Sequence, residues 1–327
     1  MKDKRNRQYR YRQLIIMIFL LFILSTASMS FVYYKIGDAL IHRKNEISKV
    51  MKLDSKEFPC EEVVFKSKQG NITLRGLFFT APSKSNKTLI VVHGLGENRF
   101  MSGRTEILVK YLIPKGYNLL AFDLRGHGES EGNLITFGYY EKYDVAGAIE
   151  YLKQRGIEGE KIGLIGFSMG AITAIETAGE DERINVVIAD SAIRDLKLFV
   201  STDVRNLSND VDVLLNNLGG TSYSAILRYL PFKDKIISMT ANVYGLKINE
   251  VSPMNTVRKI RKKPIFLIHS KNDQIISCMN SKEILKSLED NPNATLWLTE
   301  KASHIGSLKM YPEEYLRKLE EFLDENM

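Results

Sequence analysis

The residues able to do chemistry cluster at a few points of the chain. Gly166-Phe167-Ser168-Met169-Gly170 joins the apolar run Lys161–Ile165 to the helical pattern Met169–Ala178. In isolation G-x-S-x-G says little, because glycine and serine are common. Between a strand and a helix it describes a tight, strained turn that holds Oγ clear of a sheet, at the positive end of a helix. A Cβ at either glycine would collide with the neighbouring strand or helix. A serine hydroxyl attacks only when a base takes its proton. Five histidines are available. His42 falls in a polar stretch ahead of the globular pattern, and His93 and His127 belong to other motifs. His269 closes an apolar strand and reads as a satisfied core histidine. His304, in the loop Glu300–Gly306 between the last strand pattern and the last helix pattern, is the candidate base. Asp273, leaving a strand end in His269–Gln274, is the candidate acid to orient it, with Asp190 at another strand end in reserve. The order Ser168, Asp273, His304 suits nucleophile, acid and base of an acyl transfer. The oxyanion would meet the backbone N–H groups of Leu95, in His93-Gly94-Leu95-Gly96, and of Met169. His93 is expected to fix that loop rather than transfer protons.

These residues need a scaffold that delivers strand ends to one edge. Strand patterns occur at Glu61–Phe65, Ile72–Phe79, Thr88–Val92, Asn118–Phe122, Lys161–Ile165, Asn185–Ala189, Pro264–Ile268 and Thr295–Leu298. Helical patterns occur at Glu106–Leu112, Tyr139–Leu152, Met169–Ala178, Ser281–Leu288 and Pro312–Leu323. Central runs that are apolar throughout are buried on both faces, and their alternation with helices predicts a parallel sheet in an α/β fold. Ligands of such sheets bind beyond the carboxyl ends of the strands, which is where Ser168, Asp273 and His304 fall.

With these motifs the chain resembles the α/β-hydrolase superfamily, especially its serine esterase and lipase-like branches. The resemblance runs from about residue 58 to 327. It includes the loop His93–Gly96, the segment Phe122-Asp123-Leu124-Arg125-Gly126-His127-Gly128-Glu129-Ser130, the serine turn, and the acid and histidine loops. It implies an eight-stranded, mostly parallel sheet with helices on both faces. It also implies that Asp123, Arg125, His127 and Gly128 shape the loop beside the pocket without moving protons. Relatives with aspartate at the turn are dehalogenases or epoxide hydrolases, and Ser168 argues against those activities. About 192–254 is where such enzymes carry a lid, and its apolar residues at helical spacing suit lid core, with a few lining the pocket. The expected activity is cleavage of carboxylic esters, small or lipid-like, through an acyl-enzyme. A peptidase or an acyltransferase on the same residues, and a non-catalytic binding module on the same fold, are the alternatives.

The chain has 327 residues, 44% hydrophobic and 26% charged, an ordinary globular composition. The net charge of +7 is concentrated: residues 1–13 set six cations against Asp3, so no basic groove for nucleic acid is indicated. Leu14–Tyr34 follows without a charge. As a helix it would be about 32 Å long, against a hydrocarbon core of roughly 30 Å. Tyr33 and Tyr34 suit an interfacial anchor, and the basic block predicts a cytoplasmic N-terminus with the remainder outside. A cleaved signal peptide is the competing reading, although the apolar run continues past Ser25-Thr26-Ala27-Ser28 and no clean A-x-A site appears. The expected organisation is a basic tail at 1–13, a span at 14–34, a stalk or linker at 35–57 and the hydrolase domain at 58–327. Cys60 and Cys278 cannot form a disulfide framework. No cofactor or metal is expected, since the histidines are widely spaced and the glycine loops lack Walker or Rossmann context. Sequons stand at Asn71, Asn86, Asn206 and Asn293.

Overall fold

The computed structural model describes residues 2–41, 59–82, 86–157, 161–199 and 241–327. Most of the expected stalk and of the expected lid insert lies outside the described residues. Helix α1, Lys2–Ile41, runs through the basic block and the apolar stretch without interruption, in a sequence with no proline and one glycine. Its segment Tyr9–Lys35 is long and apolar enough to cross a membrane.

Eight strands form one sheet in the order β1-β2-β4-β3-β5-β6-β7-β8. They are β1 Cys60–Lys66, β2 Thr73–Phe79, β3 Thr88–Val92, β4 Asn118–Phe122, β5 Ile162–Phe167, β6 Ile184–Asp190, β7 Ile265–Ser270 and β8 Ala294–Thr299. β2 is antiparallel to both β1 and β4; the other neighbours are parallel. The central strands β3, β4, β5 and β7 are buried at every position, whereas β1 at the edge alternates. That difference follows from helices covering both faces of the middle of the sheet.

Period-two alternation sends successive residues to opposite faces. Ile90 and Val92 enter one core with residues of α3, Glu141–Gln154, and α4, Met169–Ala178, together with Ile284 from α5, Met279–Lys286. Leu89 and Val91 enter the other with residues of α2, Arg104–Leu112, and α6, Pro312–Asn326. A smaller cluster of Ile172, Ile193, Leu196, Phe199, Val251 and Ile276 lies above the carboxyl ends of the strands. It joins both described ends of the insert to α4 and to the loop after β7, so the insert starts and finishes over the candidate site.

Candidate active site

β5 ends at Phe167 and α4 begins at Met169, leaving Ser168 as the whole turn. Its backbone is at φ 53°, ψ −116°, a conformation unfavourable for a residue with a Cβ. The neighbours hold it there. Ser168 N–H donates to the Asp190 carbonyl on β6 at 2.8 Å, and its own carbonyl accepts from Ala171 and Ile172. The flanking glycines act through space rather than through φ. A Cβ on Gly166 would sit 2.2 Å from the Gly170 carbonyl oxygen, and one on Gly170 would sit 2.1 Å from that of Val92. Both obstacles are backbone, so the turn, α4 and β3 approach this closely only without those side chains.

The half-buried Ser168 hydroxyl donates to His304 Nε2 at 2.8 Å, and His304 Nδ1–H donates to Asp273 Oδ2 at 2.7 Å. Asp273 lies three residues beyond β7, and its side chain is fully buried. Its Oδ1 accepts from the backbone N–H groups of Ile275 and Ile276, both at 2.9 Å. Burial pushes the carboxyl up, but the bonds from His269 and His304, the charge of His304 and the Ile276 amide outweigh it. Asp273 is therefore held well below the usual carboxylate range, ionised and aimed at the imidazole. The reserve acid, Asp190, is occupied elsewhere: Ser191 Oγ donates to Oδ1 at 2.9 Å and the Tyr315 hydroxyl to Oδ2 at 3.3 Å.

The loop after β3 approaches from the other side. A Cβ on Gly94 would lie 3.5 Å from that of Ser168 and 3.3 Å from the Phe167 carbonyl oxygen. Leu95, half-buried, follows in this loop. Met169 is the first residue of α4, where an N–H has no intrahelical acceptor. The two histidines at this loop are fixed by it. Leu124 N–H donates to His93 Nε2 at 3.0 Å, so the ring proton is on Nδ1, which donates to the Gly94 carbonyl at 2.8 Å. Gly96 N–H donates to His127 Nε2 at 3.2 Å, and His127 Nδ1–H donates to the Arg125 carbonyl at 2.8 Å. Each ring has one acceptor and one donor engaged with backbone, the role expected of His93.

Known proteins are similar to this chain. The family model described as "Serine aminopeptidase, S33" (Hydrolase_4) matches residues 83–218. The uncharacterized protein YqkD of Bacillus subtilis is 30% identical over 252 residues, 76% of this chain and 74% of that protein. The Pyrococcus furiosus esterase Pf2001 superposes with a TM-score of 0.68 at 27% identity, covering 88% of this chain and 98% of that one. The chain belongs to the α/β-hydrolase superfamily. Human monoglyceride lipase is also similar, 36% identical over 102 residues, 30% of this chain and 32% of that protein. These relatives support a serine hydrolase.

Further residues brace the segment that follows β4. Asp123, at the end of β4, accepts from Arg99 N–H at 2.7 Å, Arg99 Nη1 at 2.5 Å and Glu129 N–H at 2.9 Å. Gly128, at φ +50°, packs so closely that a Cβ would sit 2.2 Å from an Asp123 oxygen. Arg125 forms a buried pair with Asp144 at 2.7 Å. Glu97 of the Gly94 loop is bonded by Arg104 from α2, a pair absent from the sequence reading although seven residues separate the partners. His269 goes beyond the satisfied core residue that the sequence predicts. Its Nδ1 does lie 2.7 Å from Ser281 Oγ and its Nε2 2.8 Å from the Ile276 carbonyl, but Nε2 is also 3.3 Å from Asp273 Oδ2. The signal available was spacing: a histidine four residues before the acid, across a strand end.

Proposed function

We propose that the protein is a membrane-anchored serine hydrolase that cleaves carboxylic esters through an acyl-enzyme. The observation that carries this is the continuous chain of hydrogen bonds from Ser168 Oγ through His304 to Asp273, at 2.8 and 2.7 Å. Ser168 attacks the carbonyl carbon while His304 Nε2 takes its proton. Asp273 holds the imidazole tautomer with Nε2 bare and stabilises the imidazolium that forms. The amides of Leu95 and Met169 receive the oxyanion, and His304 returns the proton to the departing alkoxide. Water then repeats the sequence on the acyl-enzyme and frees the acid.

Support for ester substrates comes from the likeness to an esterase over nearly its whole length. The description of the matching family favours a second reading, an aminopeptidase on the same residues. Esters of graded acyl length assayed against peptide amides with a free N-terminus separate the two. Turnover of amides alone would replace the first reading by the second.

Anchoring rests on α1. Its Tyr34 hydroxyl lies 3.5 Å from that of Tyr244 at the end of the insert, and Tyr244 also bonds Asp38. In this reading the basic N-terminus stays in the cytoplasm and the hydrolase domain lies outside. A reporter fused after Met327 should be active only outside the cytoplasm; activity confined to the cytoplasm would reverse the topology.

A further inference from the structure

We propose that His269 is a positioning residue for this site: it shares the Asp273 carboxylate with His304 and sets how strongly that carboxylate stabilises the His304 imidazolium. The inference rests on the assignment of Ser168, Asp273 and His304 above.

The tautomer of His269 follows from its partners. Nε2 faces the Ile276 carbonyl oxygen at 2.8 Å and Asp273 Oδ2 at 3.3 Å. Both are acceptors, since Asp273 is ionised, so Nε2 must carry a proton. Nδ1 lies 2.7 Å from the Ser281 hydroxyl, which holds the ring in this orientation. The side chain is wholly buried. Its N–H is therefore shielded from water.

Two histidines thus meet one oxygen. Asp273 Oδ2 accepts from His304 Nδ1 at 2.7 Å and stands 3.3 Å from His269 Nε2, while Oδ1 is saturated by the amides of Ile275 and Ile276. His269 acts on Asp273 in two ways. It tethers the turn that carries the acid, because the Ile276 carbonyl and Asp273 share its N–H. It also draws charge from Oδ2 on the side away from His304. An acceptor with part of its charge engaged elsewhere stabilises a facing cation less. With the donor removed, the Asp273–His304 bond gains that charge and the imidazolium is favoured. The His304 ionisation then moves up, and more of the enzyme is protonated and inactive near neutrality.

Other charged groups face His269. Asp190 on β6 pairs in register with Ile268, the residue before His269. Asp190 bears the Tyr315 hydroxyl, and the Arg104 charge acts on it. Ser281 comes from α5, and His304 lies beyond Asp273. The Asp190→Asn variant controls for the second carboxyl.

The test uses the full-length chain in detergent, with a neutral short-chain ester followed by acid release, and kcat and KM measured from pH 5 to 9. His269→Gln keeps an N–H at the Nε2 position; His269→Asn reaches only the Nδ1 position; His269→Phe removes both. In His269→Asn and His269→Phe the acidic limb should move up by about half a pH unit because Oδ2 regains charge, and kcat should fall about tenfold because the turn that carries Asp273 loses its tether, with KM within twofold. His269→Gln should return the limb to the wild-type position, and Asp190→Asn should leave it there. The fraction of active sites is counted by fluorophosphonate labelling, so that misfolded protein is removed from kcat. An unmoved limb in His269→Asn, or a loss explained entirely by fewer labelled sites, overturns the proposal. Should His269→Phe not fold, the Asn and Gln pair still decides it. Activity surviving in Ser168→Ala under the same assay would instead sink the assignment on which the proposal stands.

Discussion

The carboxyl ends of β6 and β7 lie side by side, and each carries a buried acid, yet the two behave oppositely. Asp273 after β7 is held far below the usual carboxylate range, whereas burial pushes Asp190 at the end of β6 up. Depth does not separate them, since neither side chain meets water to any extent. Their donors do. Asp273 receives two backbone amides and two imidazole N–H groups, and Asp190 receives two hydroxyls. The hydroxyls of Ser191 and Tyr315 are neutral and do not offset desolvation of a full charge, whereas two amides of the loop after β7, together with His269 and His304, are enough to keep one. A strand end offers a place for an acid. The number and kind of donors around it decide whether the acid can serve as a fixed negative charge.

The largest effect that sharpens this contrast is on catalysis. Asp273→Asn should lower kcat by about 10³- to 10⁴-fold, because an amide no longer selects the His304 tautomer that accepts from Ser168. Asp190→Asn should stay within a few fold of wild type. Steady-state kinetics of the pair check it, and the reverse ranking would move the acid to β6.

Stability against pH comes next. Asp273 has a folded-state ionisation below its unfolded value of about 3.9, so its contribution is complete above that value and is lost as pH falls through the folded one. Wild type should therefore lose more stability than Asp273→Asn between pH 5 and pH 3, measured by thermal melts. Asp190 has the opposite sign. Its contribution is present below the unfolded value and is lost as pH rises through the raised folded one, so Asp190→Asn should gain in Tm relative to wild type as pH rises.

A third buried acid gives the smallest effect. Glu176 on α4 is pushed up to about 7 by burial, against the Thr256 hydroxyl at 2.8 Å and the Lys142 charge. Stability carried by its neutral form is complete below about pH 4 and is lost as pH rises through about 7. Glu176→Gln should remove this dependence and raise Tm at pH 8.5 by about 4 °C, with no gain at about pH 4. Equal shifts at both pH values would show that Glu176 is ionised throughout.

Much of this was legible in the chain, for identifiable reasons. Runs such as Thr88–Val92 and Asn118–Phe122 are strands at those same residues because nothing polar interrupts them in the middle of a covered sheet. The turn at Ser168 was legible because two close backbone approaches leave room only for glycine at 166 and 170. The preference for Asp273 over Asp190 rests in the sequence on chain order alone, since both leave strand ends and only register and loop geometry give one of them His304. The shared role of His269 was hidden for the same reason: its distance from Asp273 Oδ2 depends on how the turn after β7 folds back. The bond between Arg104 and Glu97 depends on α2 packing against the Gly94 loop, which no local pattern encodes.

The central claim is that Ser168 is the nucleophile, activated by His304 and Asp273. Intact-mass and peptide mapping of the full-length protein after treatment with a fluorophosphonate tests it most directly. The expected result is one adduct, on Ser168, formed rapidly in wild type, slowly in Asp273→Asn and not at all in Ser168→Ala. An adduct on another serine, or labelling that persists in Ser168→Ala, would contradict the claim.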